Sequence, residues 1–182
     1  MSSSLHLLVL GSGEIARTLV SLANHLNYTI TVCDEQVEKQ SWPANVKLIN
    51  THFTDAPWSL PDHTHAITAR GHEQDVQSLV NLLNNNAEHV YLIASARRAQ
   101  TVIDEATPLL KDVKTLSILS APAGLELGGN SSAEICLSIL AEVQWHCHNS
   151  STSLRPLTKL RASRLNKSIS GQRDKSCPGK RV

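Results

Sequence analysis

Apolar positions along this chain fall into short runs that alternate with stretches where they recur every three or four residues. LHLLVL, residues 5 to 10, is apolar on nearly every position and stops at Gly11, as expected of a strand covered on both faces. From Glu14 to His25 and just beyond, the apolar residues are Ile15, Leu19, Leu22, Ala23 and Leu26, which is helical spacing. YTITVCD, residues 28 to 34, is rich in β-branched side chains and predicts the second strand. The alternation continues with strands over 46–50 (VKLIN), 65–69 (HAITA) and 89–94 (HVYLIA). Helices are predicted over 73–84, 97–110 and 132–146, while 112–120 reads equally as strand or short helix. Strands alternating with helices predict an α/β fold: a Rossmann-like, doubly wound, mostly parallel sheet with helices on both faces.

The turn out of the first strand sharpens that picture. GSGEIA, residues 11 to 16, has the G-x-G-x-x-A form of a dinucleotide-binding turn. Gly11 permits the tight turn, Gly13 lets backbone approach a phosphate, and Ala16 lets the helix pack closely. Glu14 opens the helix, whose N-terminal N–H groups and partial positive charge favour an anion. Asp34 ends the second strand about 20 residues on, where an acid accepts hydrogen bonds from a ribose and repels a 2′-phosphate. Any dinucleotide bound there is expected to be NAD rather than NADP.

Ligands of such sheets sit beyond the carboxyl ends of the strands, so three further stretches are expected at the same rim. ARGHEQD, residues 69 to 75, supplies Arg70, His72 and Asp75; ASARR, residues 94 to 98, supplies Ser95, Arg97 and Arg98. Arginines and a serine at a helix start suit an oxyanion, although a solvated helix face would read the same way. The third stretch is APAGLELGGNSSAE, residues 121 to 134. Pro122 stiffens it, and Gly124, Gly128 and Gly129 are expected to let backbone approach an anionic ligand. Ser131 or Ser132, with Glu134 in the first turn, is the expected cap of the helix that follows. All these turns are expected to share one cavity.

Composition adds bounds. The chain has 182 residues, 41% hydrophobic and 3% aromatic, which suits one domain with an aliphatic core. No apolar run approaches the ~20 residues needed to span a bilayer. The start of the chain lacks a basic region, so a cytoplasmic protein without membrane association is expected. Cys33, Cys136, Cys147 and Cys177 form no C-x-x-C pair and are expected to be reduced thiols. The pairs His63/His65 and His146/His148 have no evident third ligand, so no metal is expected. Charge is uneven: from Arg155 onward the chain carries about +8, leaving the rest near −7. Residues 1–150 are expected to form the folded domain and 151–182 a basic, disordered tail, with nucleic-acid binding through that tail a minor alternative.

Taken in order, the glycine turn, Asp34, the His72/Asp75 stretch, ASARR and APAGLELGG…SAEICLSILAEV resemble the Rossmann-like C-terminal domain of the XdhC/CoxI family, accessory factors of xanthine dehydrogenase and related molybdenum hydroxylases. The resemblance covers roughly Leu5 to Val143. It is most specific in the loop and helix from Pro122 to Glu142 and in the serine–arginine segment of Ser95, Arg97 and Arg98. It departs from the family pattern at Arg70, where the family's T-H-x-H-x-x-D stretch has its first histidine, and at Ala94, where the family has glycine. The family's separate N-terminal domain is not expected within this sequence.

The resemblance implies binding of the molybdenum cofactor, molybdopterin, during sulfuration and delivery to a hydroxylase client. Gly11, Gly13, Glu14, Ala16, Asp34, His72, Asp75, Ser95, Arg97, Arg98 and Gly124 are the candidate binding residues, with no catalytic side chain. A cysteine desulfurase partner and a homodimer are implied with it. The residues also leave open an NAD-dependent oxidoreductase, with His72 as its acid/base group, and a nucleotide-sensing or structural Rossmann domain.

Overall fold

The computed structural model describes residues 5–38, 42–52, 59–70 and 74–148. Six strands form one sheet: β1 (His6–Leu10), β2 (Thr29–Asp34), β3 (Lys47–Asn50), β4 (Thr64–Thr68), β5 (His89–Leu92) and β6 (Leu119–Ser120). Their order is β3-β2-β1-β4-β5-β6 and every pairing is parallel. The order reverses between β1 and β4, which opens a crevice at the carboxyl ends of those two strands.

Both faces are covered, which is why the strands read as continuous apolar runs. Leu7 and Val9 point to the face of α1 (Glu14–Ala23) and α4 (Ser132–Cys147), among Ala16, Leu19, Val20, Ile139, Leu140 and Val143. Leu8 and Leu10 point to the face of α2 (Asp75–Asn84) and α3 (Ala96–Ala106), among Leu79, Leu82, Leu83 and Val102. Fully burying one such side chain contributes about 1.5–3 kcal/mol.

Element boundaries move for local reasons. The helix after β1 ends at Ala23, passes through a 3-10 turn over Asn24–Leu26, and stops at Asn27, whose φ of 57° is left-handed. The helix expected to reach residue 110 ends at Ala106, where Pro108 in the next turn lacks an N–H to continue the ladder. The ambiguous stretch 112–120 holds both readings, a 3-10 turn over Val113–Ile118 and then β6. The start of the helix expected from Glu73, and the tail from 151 onward with Cys177, lie outside the described residues. No helix among the described residues is long and apolar enough to cross a membrane.

Candidate functional site

Because all strands run the same way, every loop singled out in the sequence leaves the same edge of the sheet. Backbone hydrogen bonds stitch these exits together. Gly11 N donates to Cys33 O at 3.0 Å and Ala69 N to Leu10 O at 2.8 Å. Further along the edge, Ile93 N donates to Thr68 O at 3.2 Å and Ala123 N to Leu92 O at 2.9 Å. Ser132 Oγ donates to Glu14 Oε1 at 3.0 Å, which ties the start of α4 to the start of α1. His72 lies outside the described residues.

The glycines divide by what surrounds them. Gly11 has φ +115°, and a Cβ there would lie 2.9 Å from Ala69 O, so the fold itself demands glycine. Gly124 has φ +109° and would press a Cβ to within 2.4 Å of Ser138 Oγ; the close approach that this residue permits is to α4 of its own chain. Gly13 differs from both. Its φ of −69° suits any residue, and a Cβ there would meet nothing within 4 Å. Among the described residues nothing crowds Gly13 at the start of α1, and the N–H groups there receive no side-chain cap from it. Ala16, fully buried, packs into the α1–α4 face.

Three of the charged candidates, Asp34, Asp75 and Arg98, are already paired. Arg98 Nη2 bonds Asp75 Oδ2, and Thr68 Oγ1 donates to Asp75 Oδ1 at 3.1 Å. Asp75 is 1% exposed, so Arg98 and Thr68 serve first to hold a buried carboxylate at the start of α2. Ser95 caps α3 by accepting from Arg98 N at 3.4 Å, and Arg97 is exposed beside it. Asp34 is paired with Arg70, whose Nη2 lies 3.9 Å from Asp34 Oδ1.

Two cavities lined by described residues flank this rim. One, of about 650 Å³, is lined by Val76, Ser95, Arg97, Arg98, Thr101, Val102 and Glu105. The other, of about 300 Å³, is lined by residues 125–130 with Glu134 and Ser138. Neither lining includes Gly13, Asp34 or Gly124. The loop between them is braced from below. Gly124 N donates to Glu142 Oε2 at 2.6 Å and Ser120 Oγ to Glu142 Oε1 at 2.6 Å. Ser131 is the cap of α4, with Glu134 closing a capping box.

Sequence reasoning missed Glu142, whose signal was a single acid on the apolar face of α4. It also missed a buried aromatic layer under that helix. His65 Nδ1 pairs with Tyr91 Oη at 2.9 Å, and His89 Nε2 with Ser120 Oγ at 2.9 Å. The rings of His89 and His146 stack with centroids 3.8 Å apart. Burial pushes the pKa values of His65 and His89 down to about 4 and raises that of the Tyr91 hydroxyl, so all three are neutral at pH 7. Burial likewise raises the Cys136 and Cys147 thiols to about 11, which leaves them protonated. Among the described residues no three His, Cys, Asp or Glu side chains gather as metal ligands.

Known proteins place this arrangement. The family model described as the XdhC Rossmann domain matches residues 7–143. The Escherichia coli K12 protein named "Uncharacterized protein YqeB" is 26% identical over 144 residues, which cover 75% of this chain and 26% of that protein. A Bacillus subtilis 168 protein, named as a probable subunit of xanthine dehydrogenase, is also 26% identical over 144 residues, covering 75% and 41%. The chain thus spans well under half the length of these relatives. A crystal structure titled as a xanthine dehydrogenase from Bacillus halodurans superposes with a TM-score of 0.67 at 20% identity, covering 86% of this chain and 46% of that one. At that identity the likeness speaks to the fold. The strand order, the G-x-G-x-x-A turn at the switch point and the family match over most of the length agree: this chain belongs to the XdhC family through its Rossmann domain.

Proposed function

We propose that the chain is an accessory protein of a xanthine dehydrogenase-type molybdenum hydroxylase, and that it carries molybdenum cofactor at the carboxyl rim of its sheet. Family membership and a relative named for xanthine dehydrogenase support the accessory role. The observation that carries the binding role is the open space at Gly13, in front of the uncapped N-terminus of α1. A phosphate fits there by chemistry: backbone N–H groups point outward and the helix end favours negative charge by roughly 0.3–1 kcal/mol. Arg97, exposed beside the capped start of α3, is the cation available to a second anionic group. Arg98, Asp75 and Gly124 have internal partners, so they shape the rim rather than grip the cargo.

In this reading the protein binds and shields its cargo, and no side chain acts as a nucleophile. The pterin brings its own dithiolene and phosphate, and the chain supplies positioning and exclusion of water. Sulfuration with a cysteine desulfurase, pairing into a homodimer and a cytoplasmic site of action belong to the same proposal.

The test is anaerobic purification from cells that make the cofactor, followed by mild denaturation and oxidation of the released material to a fluorescent pterin. Close to one pterin per chain is expected, and the loaded protein is expected to activate an apo-hydroxylase. Absence of pterin under these conditions overturns the reading.

A further inference from the structure

At the end of β2 the acid that a dinucleotide-binding unit would offer to a ribose is already engaged. Leu10 of β1 stands in register with Cys33 of β2 and with Thr68 of β4. Asp34 and Arg70 therefore leave the sheet on either side of the Gly11 turn, and the arginine reaches across to the carboxylate. Nη2 of Arg70 lies 3.9 Å from Oδ1 of Asp34, with the two side chains only 7% and 17% exposed. The arginine stem passes close to the turn, its Cγ 3.3 Å from where a Cβ on Gly11 would be. The same Asp34 oxygen is approached by the backbone N of Gln36 at 3.4 Å.

A ribose diol arriving here would offer two neutral hydroxyls in place of a guanidinium. Its binding would have to displace the arginine from the carboxylate where both side chains are largely buried, which is unfavourable. A phosphate-bearing ligand that does not need the acid meets no such conflict, because the α1 N-terminus stands open at Gly13. We propose that the Arg70–Asp34 pair is a specificity lock: it closes the ribose subsite to nicotinamide dinucleotides and reserves the glycine turn for a phosphate-bearing ligand with no ribose at that position. The selection is by occupation, because the attractive group is present and is held by the chain itself. The lock stands whichever phosphate ligand the chain carries.

The experiment titrates NADH into the full chain and follows nicotinamide fluorescence, with calorimetry as a second readout and thermal unfolding as a check of folding. Arg70→Ala is expected to bind NADH at least tenfold more tightly than the wild type, because Asp34 is released to the ribose. Adding Asp34→Asn is expected to abolish that gain. NADPH is expected to gain less than NADH, because the freed carboxylate repels its 2′-phosphate. Arg70→Met, which keeps the stem and removes the charge, serves if Arg70→Ala does not fold. Wild-type protein that binds NADH as tightly as the Arg70 variants would overturn the lock. So would a folded variant with no gain, or a gain that survives Asp34→Asn. A chain that retains no pterin yet shows the Arg70 effect loses the carrier reading and keeps the lock.

Discussion

The carboxyl rim of the sheet and the aromatic layer beneath α4 both concentrate polar side chains, and they treat them in opposite ways. At the rim acidic side chains are held by partners: Asp34 by Arg70, Asp75 by Arg98, Glu14 by the Ser132 hydroxyl. Open space remains in front of α1 and in the arginine-lined cavity. In the layer His65, His89 and Tyr91 are neutral, closed off from solvent and satisfied by one another and by Ser120. Burial alone makes a structural histidine. Charge held beside unfilled space makes a candidate site. Glu142 joins the two regions, since it accepts from the Gly124 backbone and from Ser120, the hydroxyl that also meets His89.

The comparison breaks most severely at Asp75. Asp75→Ala leaves Arg98 and Thr68 without their acceptor, and a loss of about 3 kcal/mol or more in urea unfolding is expected. Asp75→Asn, which keeps an acceptor, is expected to cost less. Next comes Gly124→Ala, where positive φ and the contact with Ser138 together are expected to cost about 2–3 kcal/mol. Adding Ser138→Gly should recover only the part due to the contact, because the backbone strain remains; full recovery would show that φ contributes nothing.

A different kind of effect separates the layer from the rim by pH. His65 and His89 have folded-state pKa values of about 4 against an ordinary 6.5, so the unfolded chain takes up protons first as pH falls. Stability is expected to be complete above about 6.5 and to decline between 6.5 and 4, with each unit of displacement worth at most about 1.4 kcal/mol per ring. His65→Gln should flatten that decline in thermal unfolding, and an unchanged slope would show that the ring is solvated. Smallest of the four is Ser131→Ala, which removes the cap of α4 and is expected to cost about 1 kcal/mol while leaving the histidine titration unchanged.

Much of the scaffold was legible before any coordinates. The LHLLVL run, the glycine turn and YTITVCD specify β1, α1 and β2 through local chemistry alone, and of the two serines expected as the α4 cap, Ser131 is the one that serves. What was illegible depends on residues far apart in the chain. Arg70 meets Asp34 only because β4 lies beside β1, an adjacency that no periodicity encodes. The contact of Gly124 with Ser138 was illegible because Ser138 is on a helix that the sequence could not position. His65 and His89 only open predicted strands in the sequence, whereas the packing of α4 over them buries them.

The central claim is that cargo sits at the rim and not elsewhere on the fold, and pterin retention by two variants side by side tests it most directly. Gly13→Asp introduces a residue well suited to cap α1, so the fold should hold, but it places a carboxylate in the space reserved for an anion. His89→Gln alters the layer alone. The account predicts that Gly13→Asp loses at least tenfold of the bound pterin while His89→Gln keeps it; equal retention by the two, with both chains folded, would contradict it.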